Sequence, residues 1–190
     1  MLTIVMRPPR NLALVVWLLS SAAWAAGVDV KAAMPVLLKV LTYDTNFDSR
    51  GAGDFVVLVV SDPGEAGARG QLVHELKDVS VTKVKNRMVK YVSVDFKDEA
   101  SLQAEIDRTK ASALMAIPGT PSSAIKAMWE VAQDNQMYAL ALEASMVEQF
   151  FPVGVSMAGD KPQIVINEKS SKAVGVRFET SVLRLARVIQ

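Results

Sequence analysis

The apolar positions of the chain follow two alternating periods. Over 29–41 they recur at helical spacing, through Ala32, Val36 and Val40 or Ala33, Leu37 and Val40, which predicts a helix. Pro35 falls in its first turns, so a late start or a kink is expected there. The polar stretch 42–53, with Asn46, Asp48, Gly51 and Gly53, reads as a loop. The run 55–60 is then continuously apolar and rich in valine, between Asp54 and Ser61-Asp62-Pro63-Gly64. Such a run predicts a strand covered on both faces, as in parallel sheets. Helix over 65–77, strand over 88–94, helix over 98–110, strand over 111–117, helix over 121–133 and strand over 136–142 follow. The helix over 98–110 has acidic residues in its first turn and basic ones in its last, which suits the helix dipole. Repeated alternation with apolar strands predicts an α/β fold, a mostly parallel sheet flanked by helices in three layers, as a single Rossmann-like lobe.

The alternation breaks in the last fifty residues. The segments 153–157 and 163–166, separated by Gly159-Asp160, predict a hairpin. Two helices are expected to close the chain. Asn167 caps the first and Gly175 ends it, while Thr180 caps a second, amphipathic helix over 181–189. No repeat or linker interrupts this order, so residues 26–190 read as one domain.

The beginning of the chain has the layout of an export signal. Arg7 and Arg10 precede an apolar run over 12–19, and Ala23-Trp24-Ala25 supplies an A-x-A cleavage site. Residues 1–25 therefore read as a signal peptide, with the mature chain starting at Ala26 in the periplasm. The apolar run is shorter than the roughly 18 to 20 residues of a spanning helix, and an uncleaved anchor is the competing reading. The chain has no cysteine, so neither a lipid anchor on cysteine nor a disulfide framework is available. Without Arg7 and Arg10, 19 basic residues stand against 20 acidic ones, a net charge of −1. That balance argues against nucleic acid as a partner and against steering to anionic lipid.

One stretch carries a more specific signal. Ile166-Asn167, Ala173-Val174-Gly175-Val176 and Leu183-Arg184-Leu185-Ala186-Arg187-Val188 follow one another closely, and Lys31-Ala32-Ala33 stands in the opening helix. This arrangement resembles the YfiR-like family of periplasmic proteins, most clearly over 164–189. Three features depart from that family's pattern. Leu41-Thr42-Tyr43-Asp44 replaces a Trp-Pro segment, cysteines are absent, and a glycine pair is reduced to Gly154. The resemblance implies a non-catalytic regulatory or sensor protein. Its partner would be an inner-membrane signalling protein, in the family's best understood case a diguanylate cyclase.

The residues themselves offer weaker candidates. Ile117-Pro118-Gly119-Thr120-Pro121-Ser122-Ser123 joins a strand to a helix, with Thr120 at the expected N-cap and Pro121 at the first helical position. Ligands of open α/β sheets bind outside the carboxyl ends of strands, so Thr120, Ser122 and Ser123 are candidates for a small polar ligand. Glu143 joins them if the next strand is adjacent, and Ser145 with Glu148 has the pattern of a capping box. Ordinary capping is the competing reading at each. Phe150 and Phe151 read as core, or as a partner-binding patch if exposed. The glycines at 64, 67 and 70 match neither a dinucleotide fingerprint nor a P-loop. His74 is the only histidine, so no metal site is expected, and no catalytic residue or cofactor is called for. A periplasmic ligand-binding or transport accessory protein is the alternative function. The oligomeric state, a homo-oligomer included, is left open.

Overall fold

The computed structural model describes residues 29–190, so the expected signal peptide lies outside the described residues. The elements run α1 (Val30–Leu41), β1 (Phe55–Ser61), α2 (Ala66–Lys77), β2 (Lys83–Val84), β3 (Arg87–Asp95), α3 (Glu99–Thr109) and β4 (Ala113–Ala116). They continue with α4 (Ser122–Asp134), β5 (Tyr138–Ala141), α5 (Ala144–Gln149), β6 (Val153–Ala158), β7 (Lys161–Asn167), α6 (Glu168–Ala173), α7 (Thr180–Leu183) and β8 (Arg187–Ile189). All eight strands form one sheet in the order β2-β3-β1-β4-β5-β6-β7-β8.

The five strands β3-β1-β4-β5-β6 are mutually parallel. After β1 the chain steps outward to β3, then returns past β1 to β4, so the winding reverses between β1 and β4. This is the doubly wound arrangement with its switch point at that pair. Every residue of β1 is buried, because both faces are covered. Phe55, Val57 and Val59 enter one apolar cluster with α1 and α2. Val56, Leu58 and Val60 enter the other, against α3, α4 and α5. Alternate side chains of a strand point to opposite faces, so one continuous apolar run feeds two cores.

Local chemistry sets the element ends. Asp29 accepts hydrogen bonds from the Lys31 and Ala32 amides and starts α1 at Val30. The helix continues through Pro35, so the expected late start does not occur. Asp98 and Ser101 form a reciprocal capping box at α3. In the β6–β7 hairpin Ala158 pairs with Lys161, and Gly159 takes the positive φ of +63° that this two-residue turn demands. Asn167 caps α6 by accepting from the Ser170 amide, and Gly175 at φ +70° follows it.

The end of the chain departs from expectation. The anticipated amphipathic helix over 181–189 is a single turn, α7, followed by the strand β8. Its N-cap position is Glu179 and not Thr180. β8 runs parallel to β7, pairing Val165 with Arg187, Ile166 with Val188 and Asn167 with Ile189. The outer edge of β7 offers unpaired backbone groups, and β-branched Val188 and Ile189 suit a strand. Arg187 is also ion-paired with Glu148 of α5. A two-residue strand, β2, was not foreseen either.

The loop after α1 is held by a buried charge. Asp44 is 1% exposed. Its Oδ1 accepts from the Asn46 and Arg177 amides. Its Oδ2 accepts from Arg50 Nε at 2.8 Å and from the Tyr138 hydroxyl at 2.6 Å. Arg50 also donates to the carbonyls of Gln136 and Val174 and lies 4.8 Å from the Tyr138 ring centroid. Burial, then the hydrogen bond to Asp44, pushes the Tyr138 phenol above its ordinary range. The network fastens residues 44–50 to β5 and to the segment that leads into α7.

Candidate functional site

The sequence places its candidates at the carboxyl ends of β4 and β5, and these strands are indeed neighbours. Their chemistry is more closed than expected. Thr120 does not cap α4. Its hydroxyl donates to the Ile117 carbonyl at 2.7 Å, and the N-cap position belongs to Pro121, which has no side-chain donor or acceptor. The Thr120 amide also bonds to Ile117, so the turn closes on itself. Ser122 and Ser123 are exposed.

Glu143, half-buried, accepts from the Ser145 hydroxyl at 3.4 Å. The Ser145–Glu148 capping box does not form, since Glu143 is the N-cap residue and Glu148 is drawn to Arg187. Phe151 is fully buried in the second apolar cluster, so it belongs to the core and offers no partner surface, and Phe150 is packed half-buried against that cluster.

The true switch point lies between β1 and β4, and a residue the sequence reading passed over dominates the adjoining strand ends. Arg69 of α2 is 7% exposed. It donates to the Ser61 carbonyl and hydroxyl, the Val94 carbonyl and the Ser93 hydroxyl. It also pairs with Asp95 at 2.5 Å. The guanidinium thus staples the carboxyl ends of β1 and β3 together. One signal was available: Arg69, Leu72, Val73 and Leu76 share the inward helical spacing. Gly67 and Gly70 lie inside the same helix and form no phosphate cradle. His74 is exposed on it. Among the described residues, no group of three or more His, Asp or Glu side chains stands ready for a metal.

A different feature has the shape of a binding site. A groove of about 370 Å³ opens where α1 meets the C-terminal segment. Pro35, Val36 and Val40 come from α1, Ile164 from β7, and Val182 and Leu185 from α7 and the residues just beyond. Lys39, Tyr43 and Ser181 are its polar members. Leu185 is 77% exposed, in contrast to the buried core around it. Lys39 Nζ lies 5.5 Å from the centroid of the Tyr43 ring, and Ser181 donates to Glu179 at 3.2 Å. The groove was not legible beforehand, because its lining comes together from α1, β7 and the C-terminal segment, which are distant along the chain.

No protein-family model matches the chain, and no curated protein matches it by sequence. Solved structures do. A conserved domain protein from Vibrio cholerae O1 biovar eltor str. N16961 superposes with a TM-score of 0.55 at 20% identity, over 71% of this chain. An ABC domain in complex with L-Trp from Streptococcus pneumonia gives 0.55 at 13% identity, over 81%. The chain spans only 54% and 61% of those two proteins. The similarity is one of α/β fold.

Proposed function

We propose that this protein is a non-catalytic regulatory binding protein of the periplasm. It acts on an inner-membrane signalling partner, a diguanylate cyclase by the family resemblance. The α1–β7–α7 groove is its interaction surface. The observation that carries this reading is a convergence. The two stretches that resemble the YfiR-like family, Lys31-Ala32-Ala33 and 164–189, belong to the two parts of the chain that build the groove. An exposed apolar residue at the mouth of an apolar groove is the kind of feature that marks an interaction site. Regulation then requires only that the groove bind one state of the partner more tightly than the other.

In-cell photo-crosslinking tests this, with a photoreactive residue at position 185 and, as control, at position 74 on the exposed side of α2. Crosslinks from 185 to an inner-membrane protein with a cytoplasmic signalling module, absent from 74, support the reading. Crosslinks to the same proteins from both positions, or none from 185, contradict it. The alternative function, capture of a small ligand, is favoured by the groove volume, which falls within the roughly 300–1,000 Å³ of small-molecule clefts. It is not favoured at Thr120, whose hydroxyl is already committed.

A further inference from the structure

The groove has a chemical bias that narrows its occupant. Its apolar lining is aliphatic, from Pro35, Val36, Val40, Ile164, Val182 and Leu185. Of its three polar members, Ser181 is engaged by Glu179 and Tyr43 offers its ring face to Lys39. That leaves the Lys39 ammonium as the one formal charge lining the groove. Among the described residues it has no carboxylate within ion-pair distance, whereas Lys31, Lys85 and Lys90 each do.

The helix end beside it does not repel an anion strongly. The carbonyls of Lys39, Val40 and Leu41 already accept from the amides of Thr42, Tyr43 and Asp44, so the partial negative charge of the α1 terminus is largely satisfied. Lys39 is exposed beside the groove, so a neutral apolar molecule gains nothing from its charge. An acid group on the same molecule would return an ion pair.

We propose that the groove binds an amphipathic carboxylate, a medium-length aliphatic chain with a terminal acid. The chain lies along Val36, Val40, Ile164 and Val182, and the carboxylate meets Lys39. This rests on the groove being the interaction surface, and it adds a signal the protein would sense. A carboxylate in the groove would compete with the partner, giving the regulator an input. Binding of this kind follows two rules. Each methylene buried tightens binding about fourfold until the groove is full. The exposed ion pair adds up to about fivefold over an uncharged head group.

Calorimetric titration of the purified protein tests this, using hexanoate, octanoate and decanoate below their micelle concentrations, and decanol. The expected result is affinity rising along the acid series and decanoate binding more tightly than decanol. That preference should disappear in Lys39→Met, which keeps the aliphatic stem. Leu185→Glu, on an exposed position, and Val36→Glu, on a half-buried one, should weaken decanoate binding at least tenfold with unchanged circular dichroism. No binding, decanol binding as tightly as decanoate, or full affinity in both glutamate variants would each overturn the proposal. These outcomes are separable from the regulatory reading. A protein that ignores decanoate but crosslinks its partner from position 185 refutes the ligand alone, and the reverse pattern refutes the partner alone.

Discussion

Removing the Arg50 guanidinium should unfold the protein more readily than almost any other single surface-loop change. The Asp44 side chain is fully enclosed and that of Arg50 is 11% exposed, so solvent screens their attraction little. Arg50→Met leaves a buried carboxylate without its cation, a change that typically costs about 3–5 kcal/mol. Three donors remain on Asp44, from Asn46, Arg177 and Tyr138, which places the loss near the low end, about 3 kcal/mol. For a chain of this size that is a fall in Tm of roughly 6–12 °C. Tyr138→Phe removes one hydrogen bond to a charged group and should cost about 1.5–3 kcal/mol. Because both side chains act on one carboxylate oxygen, the double variant should depart from the sum by about 0.5–3 kcal/mol. Urea unfolding followed by circular dichroism at a constant slope measures all three. A loss under about 1 kcal/mol for Arg50→Met, or strict additivity, would refute the claim that the pair holds the loop to β5.

Other consequences follow from single contacts. A Cβ on Gly154 would stand 2.7 Å from the Ala141 carbonyl oxygen and 2.7 Å from Val147 Cγ2, so Gly154→Ala should lose about 1–3 kcal/mol in chemical denaturation. Burial raises the Tyr91 phenol from 10.0 to about 12. Its folded state therefore favours the neutral form, and the stability this contributes is present below pH 10 and lost as pH rises toward 12. Tyr91→Phe should show a shallower loss of stability over that window. Thr120→Ala should change stability by less than about 0.5 kcal/mol and leave carboxylate titrations untouched, since the turn is closed by its own backbone. A larger effect on binding would return the site to the carboxyl end of β4.

The sheet was legible because its signals were local. The valine run of β1 needs cover on both faces whatever surrounds it, Asp98 and Asn167 accept from amides three residues on, and Gly159 supplies the positive φ of its own turn. The C-terminal strand was not, because Val182, Leu185, Ala186 and Ile189 stand at helical spacing, which masks the short strand over 187–189. What decides is the open edge of β7, a partner distant in space. The same limit hid the site. Thr120 has the chemistry of a cap, but a hydroxyl can turn to the carbonyl three residues back, as here. Phe150-Phe151 could be read either way until α5 was placed against the sheet. Arg69 announced itself only as a charge on an inward helical face. Asp44 needed Arg50, Tyr138 and Arg177 to come together from three regions of the chain before its burial made sense.

We propose that the groove between α1 and the C-terminal segment engages a signalling protein of the inner membrane. Affinity capture from detergent-solubilised envelopes, comparing the tagged native protein with its Leu185→Glu and Val36→Glu variants, tests it most directly. The native protein should retain one inner-membrane protein with a cytoplasmic signalling module, and both variants, still folded by circular dichroism, should lose it. Retention of the same protein by both variants, or by neither the native chain nor the variants, would contradict it.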